Sequence, residues 1–414
     1  MVIAAVSTVV EWYDFTLYLY LSTVLSRVFF GGVKRALIIT LGGFALAYLL
    51  RPLGAILFGQ IGDRWGRRHM MLASMAVVTI AMLGSALLPT YAMIGPAAGW
   101  LLLLMRCVIG LSVGGEYTGV VAYLLEGAHV ERRGLITSSA SASSEVGGLL
   151  AVGLSELTVH VLSAAQLEVW GWRIPFLAGA ALAASIWVAR SGMQESPDFE
   201  RQRASGTTPD RPLRYTLTNH APGVFRSFAI SALGSITYYV GITYVPAFLA
   251  TAGALSEDAS LWLSVLPALV VIAVTPLVGL LTDHWGRKPV LVMFCLASAL
   301  LPAALFSGMA GGSVVRALLG AVVLAGVGGG VSAVGAVATA EQFPGEGRLS
   351  GLALGTTTAT AIFGGLTPWL AQVLVERTGW PAVPGVMIAV VGFCVLPVFV
   401  AMPETAKRSP PVFD

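Results

Sequence analysis

The chain has 414 residues, of which 56% are hydrophobic and 11% charged, and its formal net charge is +3. An average soluble domain carries roughly 25% charged residues, so this composition excludes a water-solvated globule. Runs of about 20 apolar residues, the length needed to cross a hydrocarbon core of roughly 30 Å, recur along the chain, which makes lipid its main solvent.

Twelve spans are predicted, centred near Tyr18, Ala47, Val78, Gly110, Leu150, Ala180, Val240, Leu269, Ala297, Val323, Ala361 and Ile388. The first, from roughly Val2 to Phe29, carries Glu11 and Asp14 and lacks a short apolar core with a small-residue cleavage site, so it is read as a span and not as a signal peptide. Ionisable groups inside a span cost roughly 2.5 to 3.5 kcal/mol each on insertion scales, which makes Glu11, Asp14, Arg106, Glu116 and Glu145 functional candidates. At 1.5 Å per residue Asp14 falls about 16 Å along the first helix and Arg106 about 12 Å along the fourth, both near mid-membrane. An aspartate beside an arginine ionises, and separating the two favours protonation, so Asp14 is the expected proton-coupling group, with Glu11, Glu116 and Glu145 as further candidates.

Between the second and third spans lies GQIGDRWGRR, Gly59 to Arg68, in which Gly59 and Gly62 allow close helix approach and Asp63 is placed to cap or pair. Gly66 and the basic Arg64, Arg67 and Arg68 complete a loop read as a conformational latch. In the fourth span Glu116 follows Gly114 and Gly115, and is expected to meet the Arg51 or Arg64 region as part of a gate. The fifth carries TSSASASSEV, Thr137 to Val146, whose hydroxyls cannot all face lipid; Ser141 and Glu145 are its candidate contacts with a solute.

The longest polar stretch, 190–226, divides the chain into a first bundle, 1–189, and a second, 227–414. The halves are related: GLLTDHWGRK, Gly279 to Lys288, repeats the first loop and supplies Asp283, Gly286, Arg287 and Lys288. A fainter echo pairs Glu126 and Arg133 with Glu341 and Arg348 at the same separation. Two six-helix halves enclosing a midplane site suit a secondary transporter. Candidate solute contacts there are Arg106 and Tyr18 from the first half, and Tyr238, Tyr239, Tyr244 and Trp262 from the second, whose rings suit a polar or cationic group.

With the N-terminus cytoplasmic, 16 Lys and Arg residues fall on the cytoplasmic side and 5 on the other, so both termini are expected inside. Cys107, Cys295 and Cys394 lie in predicted spans and are read as packing residues; the five histidines show no metal-ligand spacing. No GxxxxGK[ST] cradle, nucleophile elbow or HExxH helix is present, so neither an ATP-driven pump nor an enzyme is expected, and the energy source is an ion gradient.

The loop motif GxxxDRxGRR resembles the signature of the major facilitator superfamily, matched at Gly59, Asp63, Arg64, Gly66, Arg67 and Arg68, while the second copy departs at His284 and Lys288. EWYDF at Glu11 to Phe15, RPLG at Arg51, SVGGEY at Ser112, WGWRIPFL at Trp170, ESPDF at Glu195, EQFP at Glu341 and the terminal PET at Pro403 look like the metabolite:proton symporter family. Ser7 and Thr8 stand where that family has Gly-Asn, and with so short a leading segment the expectation is a truncated start. Helix 5 is similar to that of citrate and tricarballylate carriers, except that Ser144 and Glu145 replace amides; TYYVGITYVP, Thr237 to Pro246, resembles helix 7 of proline and betaine carriers.

The resemblance implies an all-α membrane protein of two pseudo-symmetric six-helix bundles in a bacterial inner membrane, monomeric, with no cofactor beyond the coupled proton and no nucleic-acid partner. The expected activity is proton symport of a small organic acid, since Arg106 favours a carboxylate. The alternatives are symport of a zwitterionic osmolyte such as proline or betaine, and drug export by antiport.

Overall fold

The structure, a computed structural model, describes residues 2–31, 36–251, 263 and 265–406. Among them there is no strand, and apart from short connecting helices such as Ser22–Phe30, Pro197–Ser205 and Pro212–Asn219 the helices group into twelve rods in chain order. These are α1 (Val2–Tyr20), α2 (Ala36–Trp65), α3 (Arg67–Leu87), α4 (Ala97–Val113, resuming as Glu116–Gly127), α5 (Arg133–Val161) and α6 (Arg173–Ser191). They continue with α7 (Ala221–Tyr238, running through a π-helical turn to Val245–Thr251), α8 (Val265–Trp285), α9 (Arg287–Leu300 with Pro302–Met309), α10 (Val314–Ala340), α11 (Arg348–Leu352 through to Thr367–Thr378) and α12 (Val383–Ala401). Among the described residues nine helices are long and apolar enough to cross a membrane, or ten if the two segments of α9, bent by 41°, count as one span.

The chain divides into two compact units, Met1–Tyr123 with Ser143–Thr208, and Leu124–Ala142 with Pro209–Asp414. In the first unit glycines decide the packing of α2 on α4: a Cβ on Gly54 would lie 1.8 Å from the Leu111 carbonyl oxygen, and one on Gly114 would lie 2.1 Å from that of Arg51. The RPLG and SVGGEY segments are therefore two sides of one backbone contact, which only a missing side chain permits. Beside it Pro52, inside α2, has no N–H to offer the Tyr48 carbonyl one turn back. Aromatic packing seals the other end of this unit, with Trp172 buried edge-on between Phe29 and Phe176.

The internal repeat survives folding in detail. Residues 61–70 and 281–290 show the same alternation of buried and exposed positions, with Asp63 and Asp283 buried and Trp65 and Trp285 facing outward. Gly66 and Gly286 both take positive φ, 109° and 105°, at the start of α3 and α9. Each start then receives a carboxylate from the segment beyond the last helix of its own half. Glu195 accepts the Arg68 amide at 3.1 Å, and Glu404 accepts the Arg287 and Lys288 amides at 2.9 and 3.0 Å. Both satisfy orphan donors of a helix N-terminus and meet the positive end of its dipole.

Burial pushes the Glu404 carboxyl up, but the amides of Ala406, Arg287, Lys288 and Thr405 outweigh it and hold the group below its ordinary value. A carboxyl held lower in the folded chain contributes stability that is full above its unfolded value and lost as pH falls through the folded one. Glu404→Ala should therefore cost about 1 kcal/mol at neutral pH, the usual worth of such a cap. Thermal denaturation of both proteins at decreasing pH should show the difference vanish in acid; a constant difference would mean that Glu404 acts through packing.

Candidate functional site

One face of α1 carries Ser7, Glu11, Asp14 and Tyr18, spaced at the helical repeat. Three arginines from three other helices of the first unit meet it. Arg106 of α4 donates to both oxygens of Asp14, Nη1 to Oδ2 at 2.8 Å and Nη2 to Oδ1 at 2.9 Å, a fork that fixes the two planes together. Both side chains are 4% exposed. The Arg106 guanidinium also lies 4.7 Å from the Tyr18 ring centroid and 5.9 Å from that of Phe176. Tyr18 is fully buried and donates to the Thr40 carbonyl at 2.9 Å, so it positions Arg106 with its ring face.

Just under one turn closer to the Gly66 end, Arg51 of α2 reaches Glu11 Oε1 at 3.3 Å and stacks 4.2 Å from the Tyr48 ring centroid. Closer still, Arg190 at the end of α6 contacts Glu116 and the Ser7 hydroxyl and donates to the Met71 carbonyl at 2.7 Å. Ser74 donates to the other Glu116 oxygen at 2.5 Å. Glu116 thus pairs with Arg190 and not with the Arg51 or Arg64 expected from sequence, because Glu11 occupies Arg51 and Arg64 points outward. Sequence alone places Arg190 at the edge of the polar stretch 190–226; its position closing the last turn of a span is the available signal. Glu145 and Ser141 are both buried on α5.

The second unit holds the second copy of the loop and the four residues of the fainter echo, which the sequence reading assigns to a latch. Asp283 accepts the amides of Gly134 and Leu135 at 2.7 and 2.9 Å, capping the start of α5, while Arg287 holds Asp283 at 3.0 Å and Glu341 at 3.1 Å. The fainter echo is physical: Glu126 pairs with Arg348 at 2.7 Å and Arg133 lies 4.0 Å from Glu341, so each copy's acid meets the other copy's base. Gly134 and Gly279 approach so closely that a Cβ on Gly134 would lie 2.4 Å from the Gly279 carbonyl. The first copy differs. Asp63 holds Arg67 at 3.3 Å, and Arg67 bonds the Gly62 carbonyl at 2.9 Å. Gly59 and Gly66 are buried there and Arg68 bonds the Ser191 carbonyl at 2.6 Å; its counterpart in the second copy, Lys288, is half-buried.

Of the aromatic candidates, Tyr244 is committed to structure: it is buried against Phe248 and donates to Gln372 at 2.7 Å. Tyr239 is buried and packs edge-on at 5.4 Å against Tyr238, which is half-buried. Trp262 lies outside the described residues. Sequence reasoning missed a hydroxyl seam between α7 and α11, where Ser227 meets Thr356 and Ser235 meets Thr360, each at 3.0 Å. The Thr-rich run GTTTATAIF was the available signal, since it repeats the character of the serine-rich α5. The π-helical turns Tyr239–Thr243 and Ala353–Thr357 interrupt both helices beside this seam; such turns often mark functional positions.

Truncating Arg106 leaves the Asp14 charge buried without its fork, which is expected to cost about 3 to 5 kcal/mol. Thermal denaturation of Arg106→Ala in detergent should show this loss, and Asp14→Asn/Arg106→Gln should recover most of it. A single mutant as stable as the parent would remove the pair from the stability of the first unit.

Residues 1–207 match the family model described as "Sugar (and other) transporter", and residues 228–414 the one described as "Major Facilitator Superfamily". The ectoine/proline transporter ProP of Corynebacterium glutamicum is 32% identical over 92% of this chain and 79% of its own. The alpha-ketoglutarate permease of Escherichia coli is 32% identical over 89% of this chain and 85% of its own. Among solved structures, the proton:xylose symporter XylE of E. coli bound to 6-bromo-6-deoxy-D-glucose superimposes with a TM-score of 0.83 at 18% identity, covering 99% of this chain and 96% of that one, a likeness of fold. Multi-pass helices, a duplicated signature loop and these matches together place the chain in the major facilitator superfamily of transporters, and not among enzymes.

Proposed function

We propose that the chain is a proton-coupled symporter of a small zwitterionic solute of the proline, betaine or ectoine kind, working by alternating access in a bacterial inner membrane with both termini cytoplasmic. The observation that carries the solute class is charge balance. Each buried arginine described in an ion pair already faces a carboxylate: Arg106 with Asp14, Arg190 with Glu116, Arg67 with Asp63, Arg287 with Asp283 and Glu341, Arg133 with the same Glu341, and Arg348 with Glu126. A dicarboxylate entering such a protein brings two negative charges to a site with no surplus positive charge, at a large desolvation cost. A zwitterion brings one of each. Its carboxylate replaces Asp14 on the Arg106 fork, its cationic end takes the freed Asp14 or a tyrosine face, and the site stays neutral throughout.

The similarity to an ectoine/proline transporter supports this reading, and that to an alpha-ketoglutarate permease keeps organic acids as the second one. The positive-inside bias supports the orientation. On that orientation the Asp283, Arg287, Glu341 and Glu126–Arg348 network lies at the cytoplasmic surface, and its breaking and re-forming is the expected inward gate.

The test is uptake into proteoliposomes under an imposed pH gradient. Labelled betaine or proline should accumulate, with solute-dependent alkalinisation of the outer medium, while 2-oxoglutarate and citrate neither accumulate nor compete. Accumulation of the dicarboxylate instead would overturn the solute class, and accumulation without proton movement would overturn symport. Extrusion of lipophilic cations in exchange for protons would reassign the chain to drug export.

A further inference from the structure

Two carboxylates, Glu11 and Asp14, lie less than one turn apart on the same face of α1, each opposite an arginine from a different helix. Their compensation is unequal. Both Asp14 oxygens are held by Arg106 at 2.8 and 2.9 Å. Glu11 has a single contact of 3.3 Å at Oε1, and its Oε2 is buried with no hydrogen-bond partner. A buried ionised oxygen without a donor is costly, and neutralising the carboxyl removes that cost.

The arginines differ in the same sense. Neutralising Asp14 would strand a guanidinium that is 4% exposed, with Nε already lacking a partner. Neutralising Glu11 would leave Arg51, whose side chain is 14% exposed and lies against two ring faces, Tyr48 at 4.2 Å and Phe15 at 5.4 Å. Cation–π contact and partial hydration keep that charge satisfied when its carboxylate is gone. The groups facing Glu11 are Arg51 and Tyr48 from α2 and Glu116 from α4, which presents a like charge while itself held by Arg190; Asp14 follows on the same helix, turned to Arg106. Glu11 also lies between the Asp14 fork and the end of α1 that contacts Arg190, about 4.5 Å along the axis from Asp14.

We propose that Glu11, and not Asp14, is the carboxyl that loads and releases the coupled proton, Asp14 remaining ionised on Arg106 or on the cationic end of the solute. This assignment rests on the symport reading above. A proton from the outer aqueous phase forms an O–H bond at Oε2, the hydrogen-bond-free oxygen, and leaves to water at the Arg190 end; Arg51 keeps its protons throughout. Loading and solute binding then occupy neighbouring but separate groups, so that Asp14 and Arg106 discriminate the solute while Glu11 senses the gradient.

The experiment compares Glu11→Gln with the parent protein in proteoliposomes, using labelled betaine or proline in two modes. With one pH unit imposed, one coupled proton supports about tenfold accumulation. Glu11→Gln should fall to no accumulation above equilibration, while solute exchange across the membrane at equal concentration persists and loses its dependence on pH. Glu11→Asp should restore accumulation with a displaced pH midpoint. A parent that moves solute without protons fails the symport reading and this assignment together. A proton-coupled parent with unaltered accumulation in Glu11→Gln fails the assignment alone. Loss of exchange in a Glu11→Gln protein that still denatures cooperatively would also overturn it, by making Glu11 a positioning or binding group. If Glu11→Gln does not fold, an unchanged pH profile in Glu11→Asp overturns it.

Discussion

A charge taken out of water must meet an opposite charge or be neutralised, and that requirement organises this molecule. Arg106, Arg190, Arg67, Arg287 and Arg348 are each almost fully buried, and each is met by a carboxylate on another helix or one turn away. Such pairs rarely add net stability over a well-packed apolar core, because desolvation offsets their attraction. What they set is register: α1 has few arrangements that place Ser7, Glu11 and Asp14 opposite Arg190, Arg51 and Arg106 at once.

Close backbone contact complements the charge ladder. Gly54, Gly110 and Gly114 bring α2 and α4 together at carbonyl distance, and Gly147 does the same for α5 against Val9 of α1. In lipid there is little hydrophobic drive between helices, so small residues and buried polar pairs supply the adhesion. Both kinds of contact are discrete: a helix that moves must exchange one set of partners for another, and cannot slide through intermediate ones. A carrier that alternates between two states needs that property.

The two halves have used their common plan differently. Glu195 and Glu404 cap α3 and α9 alike, and Gly66 and Gly286 turn with the same φ. The first unit then concentrates its buried charge on one face of α1, while the second carries hydroxyls between α7 and α11 and places its ion pairs around Asp283 and Glu341. The first unit thus carries its acid–base pairs along a single helix face, and the second carries a hydroxyl seam beside its own ion pairs. On the reading proposed here, coupling lies in the first and solute shape in the second.

Sequence by itself determined the helical class, the duplicated loop and the residues worth watching. Hydrocarbon thickness sets span length, and the insertion penalty makes every mid-span charge conspicuous, so Asp14, Arg106, Glu11 and Glu116 were legible before any coordinates. Sequence could also propose Asp14 with Arg106, because their depths matched. It could not assign Glu116 to Arg190, or Glu126 to Arg348, because partner choice depends on which helices are neighbours and how far each is rotated, and helical periodicity fixes neither. The capping of α5 by Asp283 and the hydroxyl seam of α7 and α11 belong to the same class. Nor did sequence distinguish the satisfied carboxylate from the unsatisfied one: Asp14 and Glu11 carry the same chemistry on the same face, and only the positions of two guanidinium groups in space separate them.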